Sequence, residues 1–273
     1  MKKVKLYKGH LLLYIILVFS TIGAMIMVKN CTPNQDIVEN YIRAEDDTIN
    51  VAIEISPLSY SMATDTIGGF YYDLLRLISR KFDVNFKYHK FVTFNVAKEG
   101  LEHDIFDIIV ADIPVVSELK EKYLLTEPLF VDQQVLVQKK DENILTEYNQ
   151  LANDTIWIET GSTVKSRIYN LSKEIGCDTI YVIELDNSSE QLIMLTATGE
   201  IKRAVVNESI AKSMLKEYPQ LDIKTKISFG QFQSWILKHN NAELCEKFNK
   251  WIVQVKGTEE YRLLFKRYFN SKK

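Results

Sequence analysis

A short apolar run at residues 106–113 (FDIIVADI) constrains the fold most, because it predicts a strand buried on both faces, as in a helix-covered parallel sheet. Its length and its β-branched residues favour a strand over a helix. We expect a loop to begin at Asp112 and to pass Pro114 before a short helix, for which Ser117 is a candidate N-cap. Asp112 then lies at the carboxyl end of a buried strand, where open α/β sheets bind ligands.

Strand and helix patterns alternate along the chain from about residue 50. Residues 50–55 and 84–91 predict strands, and one helical stripe lies between them, formed by Phe70, Leu74, Leu77, Ile78 and Phe82. Because strand, helix and strand in this order form a βαβ unit, we expect parallel pairing. The same alternation predicts a second α/β sheet, with strands at residues 155–159, 179–184, 203–207 and 221–229, and then two helices between residues 240 and 269.

The N-terminal residues 1–30 carry an export signal. Four lysines, Lys2, Lys3, Lys5 and Lys8, precede eighteen uncharged residues at 11–28. A basic segment followed by an apolar span is typical of a signal peptide, and this span is also about long enough to cross a bilayer. Cleavage, retention as a membrane anchor and acylation of Cys31 are three open alternatives, although residues 28–30 (VKN) depart from the pattern that precedes an acylated cysteine. Each places the rest of the chain outside the cytoplasm, behind a polar linker at residues 31–49.

The composition excludes several classes of function. A formal net charge of −2 argues against nucleic acid as a partner, since phosphate binding needs a basic face. The three cysteines, Cys31, Cys177 and Cys245, have neither zinc-site nor disulfide-framework spacing, and we expect the last two to be buried. The sequence contains no hydrolase elbow, phosphate-binding loop or dinucleotide fingerprint, and its four histidines show no metal-ligand spacing. We therefore expect a monomeric, non-enzymatic protein without a cofactor.

Four segments in order resemble the bacterial extracellular solute-binding proteins of family 3. They are residues 56–88, residues 106–130 (FDIIVADIPVVSELKEKYLLTEPLF), residues 160–168 (TGSTVKSRI) and residues 204–211 (AVVNESIA). The C-terminal segments, residues 234–252 and 259–269, resemble the non-catalytic solute-binding-like domain of membrane-bound lytic murein transglycosylase F. Together these resemblances cover about residues 50–270.

The resemblance implies a type II periplasmic binding fold, in which two α/β lobes joined by two crossing strands close on a ligand like a Venus flytrap. Residues 131–140 (VDQQVLVQKK) and 222–230 (DIKTKISFG) are the extended runs that fit the crossings. Lobe 1 would contain residues 50–133 and 230–273, and lobe 2 would contain residues 134–229.

In the second lobe, the resemblance implies a ligand contact at Gly161, Ser162 and Thr163. Backbone N–H groups and hydroxyls at a helix N-terminus suit an anionic group, although Ser162 or Thr163 could instead only cap the helix. Glu208 falls where amino-acid-binding members keep an acid for the ligand's ammonium group. It could equally be a surface charge that complements the helix dipole.

In the first lobe, three further residues are candidates for ligand contact, each with a structural alternative. Tyr60 would offer an aromatic face at the cleft mouth, or it packs within the lobe. Asp112 would contact the ligand, or it bridges to a backbone group or a hinge. Ser117 would lie in the ligand loop, or it caps the helix.

Leu119 is the main departure from the family pattern. Amino-acid-binding relatives have an arginine here, whose planar fork grips the ligand carboxylate bidentately. No arginine lies in this loop, and Lys120 and Lys122 lack the fork geometry. We therefore expect free α-amino acids to bind weakly or not at all.

Two functions follow from the resemblance. In the first, the chain is an extracytoplasmic, periplasmic solute-binding protein that closes on a small polar ligand (amino-acid-like, a peptide or a muropeptide) and delivers it to a membrane transporter. In the second, it is a non-catalytic module of the cell envelope that binds peptidoglycan fragments or a murein enzyme. Either form would be tethered to the membrane by the N-terminal segment or by a lipid.

Overall fold

The computed structural model describes residues 47–63, 66–140, 143–176 and 180–269, together with Leu17, Ser20 and Thr21. Apart from these three residues, the N-terminal apolar span lies outside the described residues, as do Cys31, the linker up to residue 46, and Cys177. Predictions about those segments stay predictions. Among the helices that the structure does describe, none has both the length and the apolar character needed to cross a membrane.

The first lobe is built on a six-stranded mixed sheet. Its strands are β1 (Thr48–Glu54), β4 (Asn85–Phe91), β5 (Ile108–Pro114), β6 (Leu124–Leu125), β7 (Phe130–Asp132) and β13 (Gln231–Leu237). The strand order is β4-β1-β5-β13-β6, and β7 also pairs with β13. The predicted parallel pairing of β1 with β4 and β5 is confirmed, whereas β13 runs antiparallel to β5. Between β1 and the first helix, β2 (Ser61–Ala63) and β3 (Thr66–Gly68) form a small antiparallel hairpin.

Five helices complete lobe 1: α1 (Phe70–Phe82), α2 (Phe94–Glu102), α3 (Ser117–Lys122), α7 (Ala242–Lys256) and α8 (Glu259–Phe269). The helices α1, α7 and α8 share one core with the sheet, in which Phe70, Trp235 and Phe248 are fully buried. The stripe predicted for α1 is confirmed at Phe70, Leu74 and Ile78. Helix α2 packs separately on β4 and β5, where a side chain at Gly100 would come within 2.2 Å of the Phe106 ring.

The second lobe is a five-stranded sheet with helices on both faces. It contains β8 (Gln134–Lys139), β9 (Thr155–Glu159), β10 (Tyr181–Leu185), β11 (Arg203–Asn207) and β12 (Leu221–Asp222), in the order β10-β9-β11-β8-β12. Helix α4 (Val164–Glu174) shares a core with Val205, whereas α5 (Ser189–Thr198) and α6 (Glu208–Met214) share another with Val206. Neighbouring residues of β11 thus point into different cores, which explains the continuous apolar pattern of this strand.

The chain crosses between the lobes twice, as expected. The first crossing lies at Gln133, between β7 of the first sheet and β8 of the second, and the other lies between β12 and β13. The strand predicted over residues 221–229 is shorter than expected. It comprises Leu221–Asp222 and then a single bridge between Val135 and Lys226.

The structure corrects two local expectations around β5. The strand continues through Asp112 to Pro114, so the loop does not begin at Asp112. Ser117 is the first residue of α3 rather than its N-cap; the N-cap is Val116, and no side chain caps this helix end. Cys245 is buried as expected, with a free thiol.

Candidate functional site

A cavity of about 60 Å³ lies between the lobes, at the carboxyl ends of four strands. Lobe 1 contributes Glu54 at the end of β1 and residues 111–114 at the end of β5. Lobe 2 contributes Glu159 at the end of β9 and residues 205–207 at the end of β11. Both sheets therefore present to each other the edge at which α/β sheets bind ligands.

Helix starts and the first crossing complete the cavity wall. Phe94 begins α2, Ser162 and Thr163 precede α4, and Ser189 begins α5. Gln134, the first residue of β8, lines the cavity directly after the crossing at Gln133. A cavity of this size holds a few water-sized groups, or one small functional group of a larger molecule.

The charged residues that line this cavity are all acidic. They are Glu54, Asp112 and Glu159, and among the described residues of the cavity wall there is no lysine, arginine or histidine. Buried carboxylates are costly without partners, so the hydrogen bonds of each carboxyl group define what the cavity can bind.

Glu159 reaches across the cleft. Its side chain accepts a hydrogen bond of 2.8 Å at Oε1 from the backbone N–H of Phe94, in the other lobe. The residue is 7% exposed. Burial, reinforced by the nearby Glu54 carboxyl, raises the pKa of Glu159 to about 8, although the Phe94 and Ser189 hydrogen bonds and Lys98 act in the opposite direction.

Glu54 lies on the lobe 1 side of the cavity. The Ser59 hydroxyl donates to its Oε2 at 3.1 Å, and the side chain is otherwise enclosed, with 8% of the residue exposed. Burial raises the pKa of Glu54 to about 7, against the opposing effect of hydrogen bonds from Ser59 and Ser56. Near neutral pH this carboxyl group can therefore change its charge.

Asp112 is tied to the second lobe. Its Oδ2 accepts a hydrogen bond of 2.8 Å from the Ser209 hydroxyl, and its backbone carbonyl accepts one of 2.9 Å from Asn207 Nδ2. Burial and the neighbouring Asp132 carboxyl raise the pKa of Asp112 well above its usual range. Asp132 in turn accepts a hydrogen bond from the Ser209 backbone N–H, so these residues join the lobes beside the first crossing.

Two buried polar atoms of the cavity wall lack a partner within the described part of the chain. They are Oε1 of Gln134 and Oγ of Ser162. Gln134 is 2% exposed, so water does not reach its side chain freely. Unpaired buried polar atoms are uncommon in folded proteins and often mark a site for a ligand or an ordered water.

Outside the inner cavity, the lobes touch at Gly161. This residue has a φ of +73°, and a side chain there would come within 2.2 Å of Asn95 Oδ1 in α2. Lys98 Nζ also donates to the Gly161 carbonyl at 3.2 Å, and Ser166 donates to Glu118 at 2.9 Å. The described cleft is therefore closed.

An outer cavity of about 270 Å³ lies where α2 and α3 face the loop before α4. It shares Ser162 and Thr163 with the inner cavity. Its charged or titratable residues are Lys98, Lys122, His103, Tyr123, Glu99, Glu102 and Glu118. Leu119, which is 5% exposed, also lines this outer cavity.

Of the seven residues predicted to contact the ligand, the structure brings four to the two cavities. Asp112, Ser162 and Thr163 line the inner cavity, and Gly161 lines the outer one. Thr163 is the N-cap residue of α4 but makes no side-chain cap hydrogen bond. The capping alternative therefore does not account for Ser162 or Thr163.

The other three residues lie elsewhere. Glu208 accepts a hydrogen bond of 2.9 Å from Gln133 Nε2 and pairs with Lys212, also at 2.9 Å, and it does not line either cavity. Tyr60 packs edge-on against Tyr72 in lobe 1, with ring centroids 5.3 Å apart. Ser117 is exposed on α3.

Sequence reasoning missed Glu54, Glu159 and Gln134. Glu54 and Glu159 each end a short apolar strand (NVAIE and TIWIE), which is the signal that singled out Asp112. Applied to every predicted strand, the same rule would have found both. Gln134 carries no such signal, because its place in the site follows from where the chain crosses between the lobes.

Comparisons with known proteins agree with this geometry. The model of the bacterial extracellular solute-binding proteins, family 3, matches residues 48–271. The chain is 24% identical over 224 residues to the membrane-bound lytic murein transglycosylase F of Desulfosudis oleivorans, a match that covers 82% of this chain and 49% of that protein. The chain thus spans about half the length of that relative.

A second relative and a solved structure match over more of their length. The arginine-binding extracellular protein ArtP of Bacillus subtilis is 21% identical over 227 residues, covering 82% of this chain and 86% of ArtP. The structure of an ancestral arginine-binding protein bound to glutamine has a TM-score of 0.73 at 20% identity, covering 84% of this chain and 100% of that one. At this identity the structural likeness establishes the fold.

Proposed function

The chain belongs to the bacterial extracellular solute-binding proteins of family 3, and on that basis we propose that it closes its two lobes on a small polar ligand outside the cytoplasm. The observation that carries this proposal is the cavity between the lobes, whose described wall contains three carboxyl groups and the Gln134 Oε1 atom that has no partner among the described residues. Hinge closure around such a cleft is a common binding mechanism. The proposed role is binding, without catalysis.

Delivery to a membrane transporter is part of this proposal. The arginine-binding relative ArtP matches nearly the whole folded part of the chain, and a putative ABC transporter arginine-binding protein of Escherichia coli is 22% identical over 232 residues. A tether at the N-terminal segment or at Cys31 would keep the chain at the membrane, as the basic and apolar composition of residues 1–28 suggests.

A non-catalytic role in the cell envelope is the second candidate. The match to transglycosylase F favours it, because that match covers most of this chain but about half of the relative. In this case the cleft would bind a peptidoglycan fragment, or the lobes would bind a murein enzyme. The two candidates differ in the ligand and the partner rather than in the fold.

A thermal-shift screen of the full chain tests the proposal. The panel contains amino acids, amines, short peptides and muropeptides, and each compound is also tested on Asp112→Ala, Glu208→Ala and Glu159→Gln. A solute-binding protein gains melting temperature with its ligand. We expect Asp112→Ala and Glu159→Gln to lose this gain, because both residues line the inner cavity, and Glu208→Ala to keep it. If no compound of the panel raised the melting temperature and a pull-down captured a murein enzyme, the second candidate would be favoured.

A further inference from the structure

We propose that the ligand is an organic cation without a carboxylate, an amine or a guanidine, whose positive group binds between Glu159 and Glu54. This inference rests on the proposed solute-binding function and names the chemical class of its ligand.

The charge of the cavity favours a cation. Glu54 and Glu159 both face it, and the hydrogen bonds described for them come from hydroxyls or a backbone N–H, not from a charged group. Lys98 lies in the outer cavity and donates to the Gly161 carbonyl. A positive group between the two carboxyls would supply the counter-charge that buried carboxylates need.

The unpaired atoms of the cavity wall favour a hydrogen-bond donor. Gln134 Oε1 accepts and cannot donate, and the carboxylates of Glu54 and Glu159 are acceptors when ionised. The Ser162 hydroxyl can accept as well. Ammonium and guanidinium groups only donate hydrogen bonds, so they complement Gln134 Oε1 and the ionised carboxylates of Glu54 and Glu159, whereas a ligand carboxylate would meet these atoms acceptor against acceptor.

Neither cavity has an arginine in its described wall to hold a ligand carboxylate. Leu119 stands where an arginine fork would be needed, and it lines the outer cavity. The two lysines of the outer cavity, Lys98 and Lys122, share it with three glutamates, Glu99, Glu102 and Glu118. An acid placed there would meet an excess of negative charge.

A bare metal ion is not the occupant that the geometry favours. Within the described parts of the chain, no three carboxylate, imidazole or thiol groups are arranged to hold a metal. The carboxyls of the inner cavity are therefore better suited to an extended organic group, whose several N–H donors reach separate acceptors.

Two pairs of compounds, each an amino acid and the amine that lacks its carboxylate, test the proposed ligand class. Agmatine is arginine without its carboxylate, and 1,5-diaminopentane is lysine without its carboxylate, so each pair differs only in the group under test. The full chain is titrated calorimetrically with all four compounds. We expect the amine of at least one pair to bind at least about tenfold tighter than its amino acid, the range expected for losing or burying an unpaired charge.

Variants locate the binding site. Glu159→Gln and Glu54→Gln keep the shape of the side chain but remove its charge, and each is expected to weaken amine binding by about tenfold or more. The control is Glu259→Gln, which makes the same change at the exposed start of α8 and should leave the affinity unchanged. Circular dichroism confirms that each variant is folded, and the comparison of amine with amino acid on the wild type needs no variant.

Three results would overturn the inference. Equal or tighter binding of arginine and lysine would show that a carboxylate is recognised, and solute binding itself would stand. Binding of a neutral peptide or a muropeptide, without binding of any of the four titrated compounds, would show that the ligand is not an organic cation. The solute-binding function would still stand. If no compound of the thermal-shift panel gave a measurable heat of binding, both the proposal of a cationic ligand and the proposed solute-binding function would be overturned.

Discussion

The backbone N–H of Phe94, at the start of α2, donates a hydrogen bond of 2.8 Å to Oε1 of Glu159, at the end of β9. The donor belongs to lobe 1 and the acceptor to lobe 2, so this hydrogen bond requires a closed cleft. Glu159 also lines the inner cavity. The same carboxyl group therefore connects lobe closure, the inner cavity and a raised pKa.

The stability of the chain should fall as the pH rises. The pKa values of Glu54 and Glu159 are raised in the folded chain, from 4.5 to about 7 and about 8. The folded chain then holds protons that the unfolded chain releases above about pH 4.5, so the free energy of unfolding decreases from there to about pH 8. Among the neighbouring charged groups, Glu190 raises the pKa of Glu54 further and Lys98 lowers that of Glu159. Glu54 also adds to the raised pKa of Asp112.

Glu159→Gln should remove much of this pH dependence. At pH 8.5 the variant should be more stable than the wild type by roughly 1–3 kcal/mol, because a buried carboxylate is replaced by a neutral amide. At pH 4.5 the two should be alike. Urea unfolding at both pH values measures the difference, and a variant less stable at pH 8.5 would show that the carboxylate is well compensated in the fold.

Gly161→Ala should weaken ligand binding by obstructing closure. The new Cβ would lie within 2.2 Å of Asn95 Oδ1, across the cleft, in addition to the cost of a positive φ. Gly176→Ala is the matched control, because Gly176 also has a positive φ, +64°, but nothing lies within 4 Å of its added Cβ. Both variants should lose about 1 kcal/mol of stability from backbone strain. Only Gly161→Ala should also reduce affinity, and equal affinities of the two variants would count against closure at Gly161.

Ser209→Ala should favour the open cleft. The Ser209 hydroxyl donates to Asp112 Oδ2 at 2.8 Å, between α6 and β5, and its loss leaves a buried carboxyl without that donor. A hydrogen bond of this kind contributes roughly 1–2 kcal/mol, so we expect ligand affinity to fall by about fivefold to thirtyfold. Ser172→Ala, on the exposed face of α4, is the control. An unchanged affinity in Ser209→Ala would mean that this hydrogen bond does not contribute to closure.

Free glycine, glutamate and histidine should not raise the melting temperature at micromolar concentrations. The reason is Leu119, at the position where the family resemblance implies an arginine that grips the ligand carboxylate. Differential scanning fluorimetry of the full chain measures this directly. A clear shift with any of the three at micromolar concentration would show that another group in the cleft holds the carboxylate.

The fold could be predicted largely from the sequence, because the strands and helices of both lobes carry strong periodic patterns. The stripe of α1 and the buried run of β5 are examples. Helix α2 could not be predicted from an apolar stripe, since only Ala97, Gly100 and Leu101 are buried and the first two are small residues. Strand β13 was also missed, because buried polar residues such as Gln233 and Ser234 interrupt its apolar pattern.

The candidate site could be predicted only in part. Asp112 could be predicted because it lies near the carboxyl end of a buried strand, and Ser162 and Thr163 because they precede a helix. The pairing of Glu54 with Glu159 depends on how the two lobes meet, which no local pattern encodes. Glu208 shows the converse: its position in the motif suggests a ligand contact, but Gln133 and Lys212 hold its side chain outside the cavities.

Hydrogen exchange at the Phe94 amide is the most direct test of closure on a ligand between the lobes. This N–H has its partner, Glu159, on the opposite lobe, so it is protected only while the cleft is closed. Exchange is followed for the full chain with and without saturating agmatine, and the Trp235 amide, within the lobe 1 core, serves as the internal reference. We expect agmatine to slow exchange at the Phe94 amide by at least about tenfold, with little change at the Trp235 amide. Binding of agmatine that leaves exchange at Phe94 unchanged would contradict this expectation.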